Sequence, residues 1–326
     1  MQYELERKTA IEAVTQACQL CSGVQHRLSD EHKLVKSDAS PVTVADFGSQ
    51  ALIVSHVRRV FPYDPIVGEE DASVLRQDDQ TPLRNHVITL INAFDNSLTE
   101  ADVLDAIDEG AKPCDFTERY WTLDPIDGTK GFLRGEQYAV ALALVENGKP
   151  VVGVLGCPNL PVDEREPAKG RGVLFIAEKG RGTSMRSLAA KEEVSVHVAQ
   201  TSNPADARFC DSVEAAHTSH DKHTKIAKLL GITAPSYRID SQCKYAVVAR
   251  GDASIYLRLT KANYLSWIWD HAAGAIVVQE AGGTVTDIFG QALEFSLGRK
   301  LSQNSGVVAT NGLLHNTVIE AIQHLR

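Results

Sequence analysis

The sequence predicts a layered α/β fold for this chain of 326 residues. Helical patterns dominate its beginning, strand patterns dominate its middle, and strands alternate with helices through its second half. The run of sheet-forming segments ends around 186–194, which puts a predicted boundary between two subdomains there. We therefore expect an α+β subdomain over 1–188 and an α/β subdomain over 189–326.

Two helices are predicted near the N-terminus. Apolar residues recur at helical spacing over 4–28, which indicates a long first helix. A second helix is expected over about 43–60 and should end before Pro62, because proline cannot continue a helix. Thr43 and Asp46 stand at its start in the pattern of a capping box.

The middle of the chain is predicted to form a sheet after a helical insertion. A short strand at 65–70 ends in a glycine turn, and 72–113 is predicted to be mainly helical, with amphipathic segments around 83–95 and 100–108. Strand patterns then follow around 120–123, 138–145, 151–156 and 173–177, and the charged stretch 158–172, rich in Pro and Gly, is predicted to be an exposed hairpin loop.

Strands and helices alternate in the second half, as expected of a layered α/β unit. One helix should end at Gly231 and another at Gly282-Gly283, because glycine readily takes the left-handed backbone that closes a helix. The predicted helices lie near 220–230, 241–250 and 270–281 and at the C-terminus, and the predicted strands lie near 254–259 and 307–309.

The charge of the chain argues against one class of partner. It has 33 Lys and Arg against 42 Asp and Glu, a formal charge of −9. We do not expect it to bind a nucleic-acid polymer, because that requires an excess of basic charge. A small anionic ligand needs only a local cluster of cations and agrees with this composition.

The sequence predicts a cytoplasmic protein that does not enter a membrane. Its N-terminus is charged and lacks the apolar core of a signal peptide, and no apolar run approaches the ~20 residues of a membrane span. The six cysteines are scattered, which favours a reducing compartment. Cys18 and Cys21 form a C-x-x-C pair inside a helical pattern, so we expect buried thiols there rather than a redox or zinc site.

The most informative stretch contains Asp124-Pro-Ile-Asp127-Gly-Thr129. A strand delivers Asp124, the proline restricts the following turn, and Asp127 falls beside Asp124. Two carboxylates so close repel each other unless a cation joins them, and with the Ile126 carbonyl they are hard oxygen ligands that suit Mg²⁺. Gly128 allows a ligand to approach closely, and Thr129 offers a hydroxyl. The alternative is an Asp-Pro turn whose second Asp caps the next segment.

Three further acidic residues each have a structural alternative when taken alone. Asp46 could serve only as the acid of a capping box, and Asp270 only as the N-cap of an apolar helix. Glu69 could be a solvated turn residue. The residues taken singly leave each alternative open. The order of all these acids along the chain decides between these structural roles and a functional site.

That order resembles the inositol monophosphatase superfamily, a group of metal-dependent, lithium-sensitive phosphatases. The resemblance runs from about residue 7 to the last helix. It implies a layered αβαβα sandwich of two subdomains, with most metal ligands in the first and the last ligand in the second. It also implies that Glu69, Asp124, Asp127, Asp270 and the Ile126 carbonyl bind two or three Mg²⁺ ions, and that Asp46 and Thr129 orient and deprotonate the attacking water.

The second half contains residues that favour a nucleotide substrate. Ser241 and Lys244 are one helical turn apart, and Arg258 lies on a strand beside an aromatic residue. A Lys and Arg pair suits a second, non-reacting phosphate, although each could be an ordinary surface cation. Within the superfamily the chain is most similar to the bisphosphate nucleotidases, which implies that Gly128, Thr129, His217, Ser241, Lys244 and Arg258 contact the substrate.

The expected reaction is Mg²⁺-dependent hydrolysis of the 3'-phosphate of 3'-phosphoadenosine 5'-phosphate, giving AMP and phosphate. Activity on 3'-phosphoadenylyl sulfate or inositol 1,4-bisphosphate could accompany it. The alternatives are an inositol monophosphatase, an inositol polyphosphate 1-phosphatase, or a non-catalytic nucleotide or ion sensor. We expect a small-molecule substrate and a monomer or weak oligomer.

Two features fall outside the common pattern of the superfamily. Ala216 replaces a usual glycine before His217, and Ser266-Trp267 replaces a usual Glu-Lys pair before Ile-Trp-Asp270. Separately, His217, His220 and His223 recur at every third position, which is a spacing that zinc ligands can have. We expect substrate-loop and helix-start roles for these histidines rather than a zinc site.

Overall fold

A computed structural model describes residues 2–26, 33–35, 41–213, 220–260 and 264–325. Within these ranges the strands form a sheet of two, a sheet of seven and a sheet of five. The smallest sheet pairs β1 (Lys33–Val35) with β2 (Pro41–Thr43) in antiparallel fashion. The two large sheets and the helices around them form the body of the molecule.

The seven-stranded sheet follows the chain order almost without interruption. Its first pair is parallel, and each later pair is antiparallel. Neighbouring strands along the chain can pair in this way through short connections. The strands, in the order of the sheet, are β3 (Ile66–Gly68), β4 (Arg119–Asp127), β5 (Ala139–Glu146), β6 (Lys149–Pro161), β7 (Arg171–Glu178), β8 (Thr183–Ser187) and β9 (Val194–Val196).

The five-stranded sheet is mixed. Its order is β11-β10-β12-β14-β13, with parallel pairs between β10 and its two neighbours and antiparallel pairs on both sides of β14. These strands are β10 (Phe209–Asp211), β11 (Tyr237–Arg238), β12 (Ile255–Arg258), β13 (Thr284–Thr286) and β14 (Val307–Thr310).

Helices separate and cover the two large sheets. The described helices are α1 (Glu4–Gln25), α2 (Val44–Val60), α3 (Thr81–Asn92), α4 (Glu100–Glu109), α5 (Thr129–Leu133), α6 (His220–Leu230), α7 (Cys243–Ala249), α8 (Ala272–Glu280) and α9 (His315–His324). The first two pack on one face of the seven-stranded sheet, α7 and α8 lie between the sheets, and α6 and α9 share a core with the far face of the five-stranded sheet. The result is the expected αβαβα order of layers.

Strand β5 shows how one strand serves two cores. Val140, Leu142 and Leu144 join the core that contains α1 and α2, whereas the alternating alanines and Val145 join the core that contains α7 and α8. Successive side chains of a strand point to opposite faces. Because both faces are covered by helices, the strand is apolar throughout, as the sequence shows.

The predicted helices and the main strands are confirmed, and the errors lie in loops and short strands. The stretch 158–172 is only partly a loop, because β6 runs to Pro161 and β7 begins at Arg171. Strands β8 and β9 escaped the sequence analysis, and β9 extends the large sheet beyond residue 188. The division at 188 and 189 stays a prediction.

Two further expectations, about the cysteines and about membrane spans, can be compared with the structure. Cys18 and Cys21 are buried thiols within α1, as expected, and burial raises the pKa of both. Across the described ranges, every helix is too short or too polar to span a bilayer.

Candidate active site

A cleft of about 400 Å³ lies where the end of β4 meets the turn before α7, the end of β12 and the segment before α8. Ten of the residues predicted for catalysis, metal binding or substrate binding line it: Glu69, Asp124, Ile126, Asp127, Gly128, Thr129, Ser241, Lys244, Arg258 and Asp270. These residues come from both halves of the chain, so only the folded protein brings them together.

A bulge at the end of β4 turns two carboxylates into the same cleft. Asp124 pairs with Ala141 and Asp127 with Ala139, so a step of 127 − 124 = 3 residues on β4 faces a step of 141 − 139 = 2 on β5. In a regular strand, residues three apart point to opposite faces. The irregularity removes that constraint, and both carboxylates line the cleft.

Gly128 allows the chain to turn sharply after these carboxylates. Its φ is +92°, in the left-handed region that favours glycine. A Cβ at this position would lie 2.9 Å from the Cβ of Ser241, which is closer than carbon atoms pack. The glycine therefore permits both the turn into α5 and the close approach of Ser241 in the turn before α7.

The turn before α7 locks onto the end of β4. Ser241 itself has a φ of +65°, unusual for a residue with a side chain. The backbone N–H of Gln242 donates to Asp127 Oδ2 at 2.6 Å. This bond joins the turn before α7 directly to one of the predicted metal ligands.

Asp124 is the most deeply buried of the cleft carboxylates. It is 2% exposed, and its Oδ1 accepts no hydrogen bond within the described residues. Burial raises the pKa of Asp124 well above its usual range, and the charges of Glu69 and Asp127 raise it further. Such a carboxylate, crowded by like charges, is the kind of group that a cation stabilises.

Asp127 experiences opposing charges. Burial raises the pKa of Asp127 to about 6, and the nearby Asp270 contributes to the rise. The cations Lys244 and Arg258 oppose it. The carboxylates and the cations thus interact across one small volume.

The turn that carries Glu69 is held by hydrogen bonds from the side chain of Gln50. Gln50 is fully buried, and its amide donates to the carbonyls of Glu70 and Ile107 and accepts from the Glu70 N–H. A Cβ on Gly68 would lie 2.5 Å from the Gln50 side chain, so only glycine fits beside it. Gln50 therefore links the backbone beside Glu69 to α4, which belongs to the insertion 72–113.

Arg299 connects the Glu69 turn to the Asp270 segment. Its guanidinium donates to the carbonyl of Gly68 at 2.5 Å and to that of Gly110 at 2.7 Å. The same group lies 4.9 Å from the ring centroid of Trp269, in the geometry of a cation–π contact. Trp269 in turn stacks on Trp267 at 4.7 Å, and Lys300 lies over the Trp267 ring.

Asp270 precedes α8 but does not cap it. The N-cap is His271, whose side chain makes no capping bond, so the N-cap alternative for Asp270 is wrong. Asp270 Oδ2 instead accepts from Arg258 at 3.1 Å, and Arg258 also donates to the Tyr264 hydroxyl at 3.2 Å. The predicted phosphate-binding arginine is therefore paired with a predicted metal ligand.

Lys244 is a buried cation. It is 6% exposed and lies over the Tyr256 ring at 5.4 Å. Burial lowers the pKa of Lys244, while the charge of Asp127 works in the opposite direction. The alternative of an ordinary surface lysine is wrong for this residue, and Arg258 is also largely buried at 15% side-chain exposure.

Of the remaining predicted residues, Asp46 does not line the cleft and His217 cannot be placed. Asp46 is 2% exposed in the first turn of α2 and close enough to Asp124 to raise its pKa, but it is not among the lining side chains. His217 lies outside the described residues, as do the side chains of Thr43 and His220. His223 is described, and its Nδ1 lies 2.7 Å from Asp211 Oδ1.

Within the described part of the chain, no three acidic, histidine or cysteine side chains form a compact metal-binding group.

The sequence analysis assigned no role in the cleft to several residues that line or support it. Gln242 lines it, and Arg299 donates to the carbonyls of Gly68 and Gly110 beside the Glu69 turn. Trp267, which the sequence marked only as a departure from the superfamily pattern, also lines the cleft. Gln242 and Arg299 carried no signal in the sequence, because their roles depend on distant backbone groups.

The chain belongs to the inositol monophosphatase family, whose model matches residues 1–326. It is a phosphatase, an enzyme of the hydrolase class. An IMPase from Thermotoga maritima covers 97% of this chain, with 95% of its own chain matched, at a TM-score of 0.65 and 22% identity. At that identity the likeness shows the shared fold.

More similar sequences point to one branch of the family. The chain is 45% identical to a "3'(2'),5'-bisphosphate nucleotidase" of Schizosaccharomyces pombe, over 98% of this chain and 96% of the relative. It is 46% identical to a protein of the same name from Emericella nidulans, over 99% of both chains. Membership of an enzyme family favours catalysis over the alternative of a non-catalytic sensor.

Proposed function

We propose that this phosphatase removes the 3'-phosphate of 3'-phosphoadenosine 5'-phosphate, giving AMP and phosphate, in a reaction that requires Mg²⁺. The observation that carries the proposal is the cleft itself, where the four carboxylates proposed to bind metal line the same volume as two buried cations, Lys244 and Arg258. A substrate with two phosphates needs both kinds of group: metal ligands at the reacting phosphate and fixed cations at the other. The names of the relatives support the same substrate.

The types of oxygen donor in the cleft suit Mg²⁺. Carboxylate and carbonyl oxygens are its preferred protein ligands, and the buried Oδ1 of Asp124 has no hydrogen-bond partner in the described structure. When bound, Mg²⁺ neutralises phosphate charge and lowers the pKa of a coordinated water. In this proposal the ligands of two or three ions are Glu69, Asp124, Asp127, Asp270 and the carbonyl of Ile126.

Asp46 and Thr129 are the proposed pair that prepares the water. The Thr129 hydroxyl donates to the Ile126 carbonyl at 3.2 Å, so its oxygen remains able to accept a hydrogen bond from water. Asp46 would take the proton as the water attacks phosphorus. The chain then needs no covalent intermediate, because the water itself displaces the nucleotide 3'-oxygen.

Lys244 and Arg258 would hold the 5'-phosphate, with Ser241, Gly128 and His217 as further substrate contacts. Both cations are buried, so a charge-assisted contact to phosphate would be little screened by solvent. Binding energy from this remote phosphate can orient the reacting ester. The proposal also includes lithium inhibition, a cytoplasmic location and a monomer or weak oligomer.

Phosphate release from a panel of substrates tests the proposal. We expect 3'-phosphoadenosine 5'-phosphate to be hydrolysed far faster than 3'-AMP or inositol 1-phosphate, with 3'-phosphoadenylyl sulfate and inositol 1,4-bisphosphate as possible side substrates. EDTA should abolish activity and Mg²⁺ should restore it. Full activity in EDTA would contradict the metal assignment, whereas faster hydrolysis of inositol phosphates would favour the inositol phosphatase alternative.

A further inference from the structure

We propose that Gln242 is a positioning residue that holds the Asp270 carboxylate at a fixed position relative to the Asp127 carboxylate. The inference rests on the proposed function, in which both carboxylates bind Mg²⁺. Gln242 is 2% exposed, lines the cleft and belongs to neither carboxylate's segment. Its backbone contacts one of the two segments and its side chain contacts the other.

The side chain of Gln242 fastens the segment that carries Asp270. Its Nε2 donates to the carbonyl of Trp269 at 2.9 Å, one residue before Asp270. Its Oε1 accepts from the N–H of Gly274 at 3.1 Å, in the first turn of α8. A single amide therefore spans the residues on either side of Asp270 and sets the path of the backbone between them.

The N-terminus of α8 depends on this amide. The first N–H groups of a helix lack partners within the helix and must find them elsewhere. The N-cap residue, His271, makes no side-chain capping bond. Gln242 supplies the acceptor from another part of the chain, so its loss would leave the buried Gly274 N–H without this partner and free the Asp270 turn to shift.

The backbone of Gln242 fastens the other carboxylate. Its N–H donates to Asp127 Oδ2 at 2.6 Å. The turn that carries it cannot move easily, because Ser241 packs against Gly128 with no room for an added methyl group. Gln242 therefore links the two segments that carry Asp127 and Asp270 and restrains the distance between their carboxylates.

Arg258 acts on the side chain of Asp270. It donates to Asp270 Oδ2 at 3.1 Å. Gln242 acts on the backbone of the same segment, from the side of Asp127. We therefore expect Gln242 to determine how well Asp270 can join Asp127 in binding a divalent cation.

Calorimetric titration of the protein with Mg²⁺, without substrate, tests this role. In Gln242→Met, which keeps the size of the side chain and the backbone N–H bond to Asp127 but loses both amide contacts, we expect about 10- to 100-fold weaker Mg²⁺ binding, the effect typical of lost outer-shell partners. Activity should recover in part at high Mg²⁺. Gln242→Asn keeps the amide but is one methylene too short to reach both backbone groups, and it should also bind Mg²⁺ more weakly.

Asn311→Leu is the matched control. Asn311 is a buried amide, 2% exposed, that donates to the carbonyls of Ala199 and Thr201 and accepts from the Leu314 N–H before α9. It performs the same structural task as Gln242 but away from the cleft. We expect this variant to lower the melting temperature without changing Mg²⁺ binding.

The outcomes separate this inference from the proposed function. If the wild-type protein binds no Mg²⁺, the metal assignment fails and the inference fails with it. If the wild type binds Mg²⁺ and both Gln242 variants bind it equally well, Gln242 is only structural. Should Gln242→Met fail to fold, the result for Gln242→Asn decides.

Discussion

Arg258 and Asp270 form an ion pair at 3.1 Å in the cleft, and both side chains are largely buried. The pair joins a residue predicted to bind the remote phosphate to one predicted to bind metal. Any change at Arg258 therefore alters the environment of Asp270 as well. Lys244, whose cation lies over the Tyr256 ring, offers a second way to test the remote phosphate.

The ion pair leads to a prediction about substrate selectivity. We expect Lys244→Met to lower kcat/KM for 3'-phosphoadenosine 5'-phosphate by a factor that corresponds to about 2–4 kcal/mol of activation free energy, as for a lost charge-assisted contact. The effect on 3'-AMP should be much smaller. Arg258→Ala should slow both substrates, because it also releases Asp270. Steady-state kinetics on the two nucleotides measures the difference, and an equal loss on both substrates in Lys244→Met would remove the basis for a 5'-phosphate site there.

Asp46 is predicted to be catalytic although it does not line the cleft. Asp46→Asn keeps the size of the side chain but removes a proton acceptor, so we expect turnover to be abolished while the fold remains intact. A capping role would instead reduce stability and leave the rate nearly normal. Phosphate release and thermal melting together decide, and retention of more than about a tenth of kcat, a barrier change below ~1.4 kcal/mol, would make Asp46 structural.

Arg299 is predicted to stabilise the junction between the Glu69 turn and Trp269. Arg299→Lys keeps the charge but cannot reproduce the two forked donor contacts to Gly68 and Gly110, so the free energy of unfolding should fall by about 1–3 kcal/mol. Urea unfolding measures this. Lys300→Met, which removes the neighbouring cation–π contact to Trp267, should cost no more than about 1 kcal/mol, and equal losses in the two variants would refute a special role for Arg299.

His315 is predicted to make stability depend on pH. It is 6% exposed between the hydroxyls of Thr286 and Thr310, and burial lowers its pKa. Because the folded state favours the neutral ring, the stabilisation is present above the unfolded pKa of about 6.5 and is lost as pH falls through the folded pKa.

The comparison for His315 is made by urea unfolding near neutral pH and at acidic pH. The wild type should lose more stability on acidification than His315→Gln, by at most ~1.4 kcal/mol per pH unit for the single proton involved. Parallel losses in the two proteins would show that His315 does not titrate on unfolding in this range.

Much of the fold could be predicted because it depends on local patterns. The apolar spacing in α1 and α2 and the continuous apolar runs in β5 and β7 identify elements that are buried along a face or on both faces. Strands β8 and β9 were missed because they are short and partly exposed, with pairing rather than composition as their cause. The loop at 158–172 was overestimated because Pro158 and Pro161 lie inside the end of β6 and Gly172 lies at the start of β7.

The cleft shows the same division. The residue types in Asp124-Pro-Ile-Asp127-Gly-Thr129 by themselves determine a carboxylate-rich turn, and its order with the other acidic motifs indicates the family. Only the tertiary structure decided that Arg258 pairs with Asp270, that Ser241 packs on Gly128, and that Gln242 and Arg299 support the cleft. The physical reason is that local propensity acts within a few neighbouring residues, whereas these contacts join segments that are far apart in sequence and meet only when both sheets are packed.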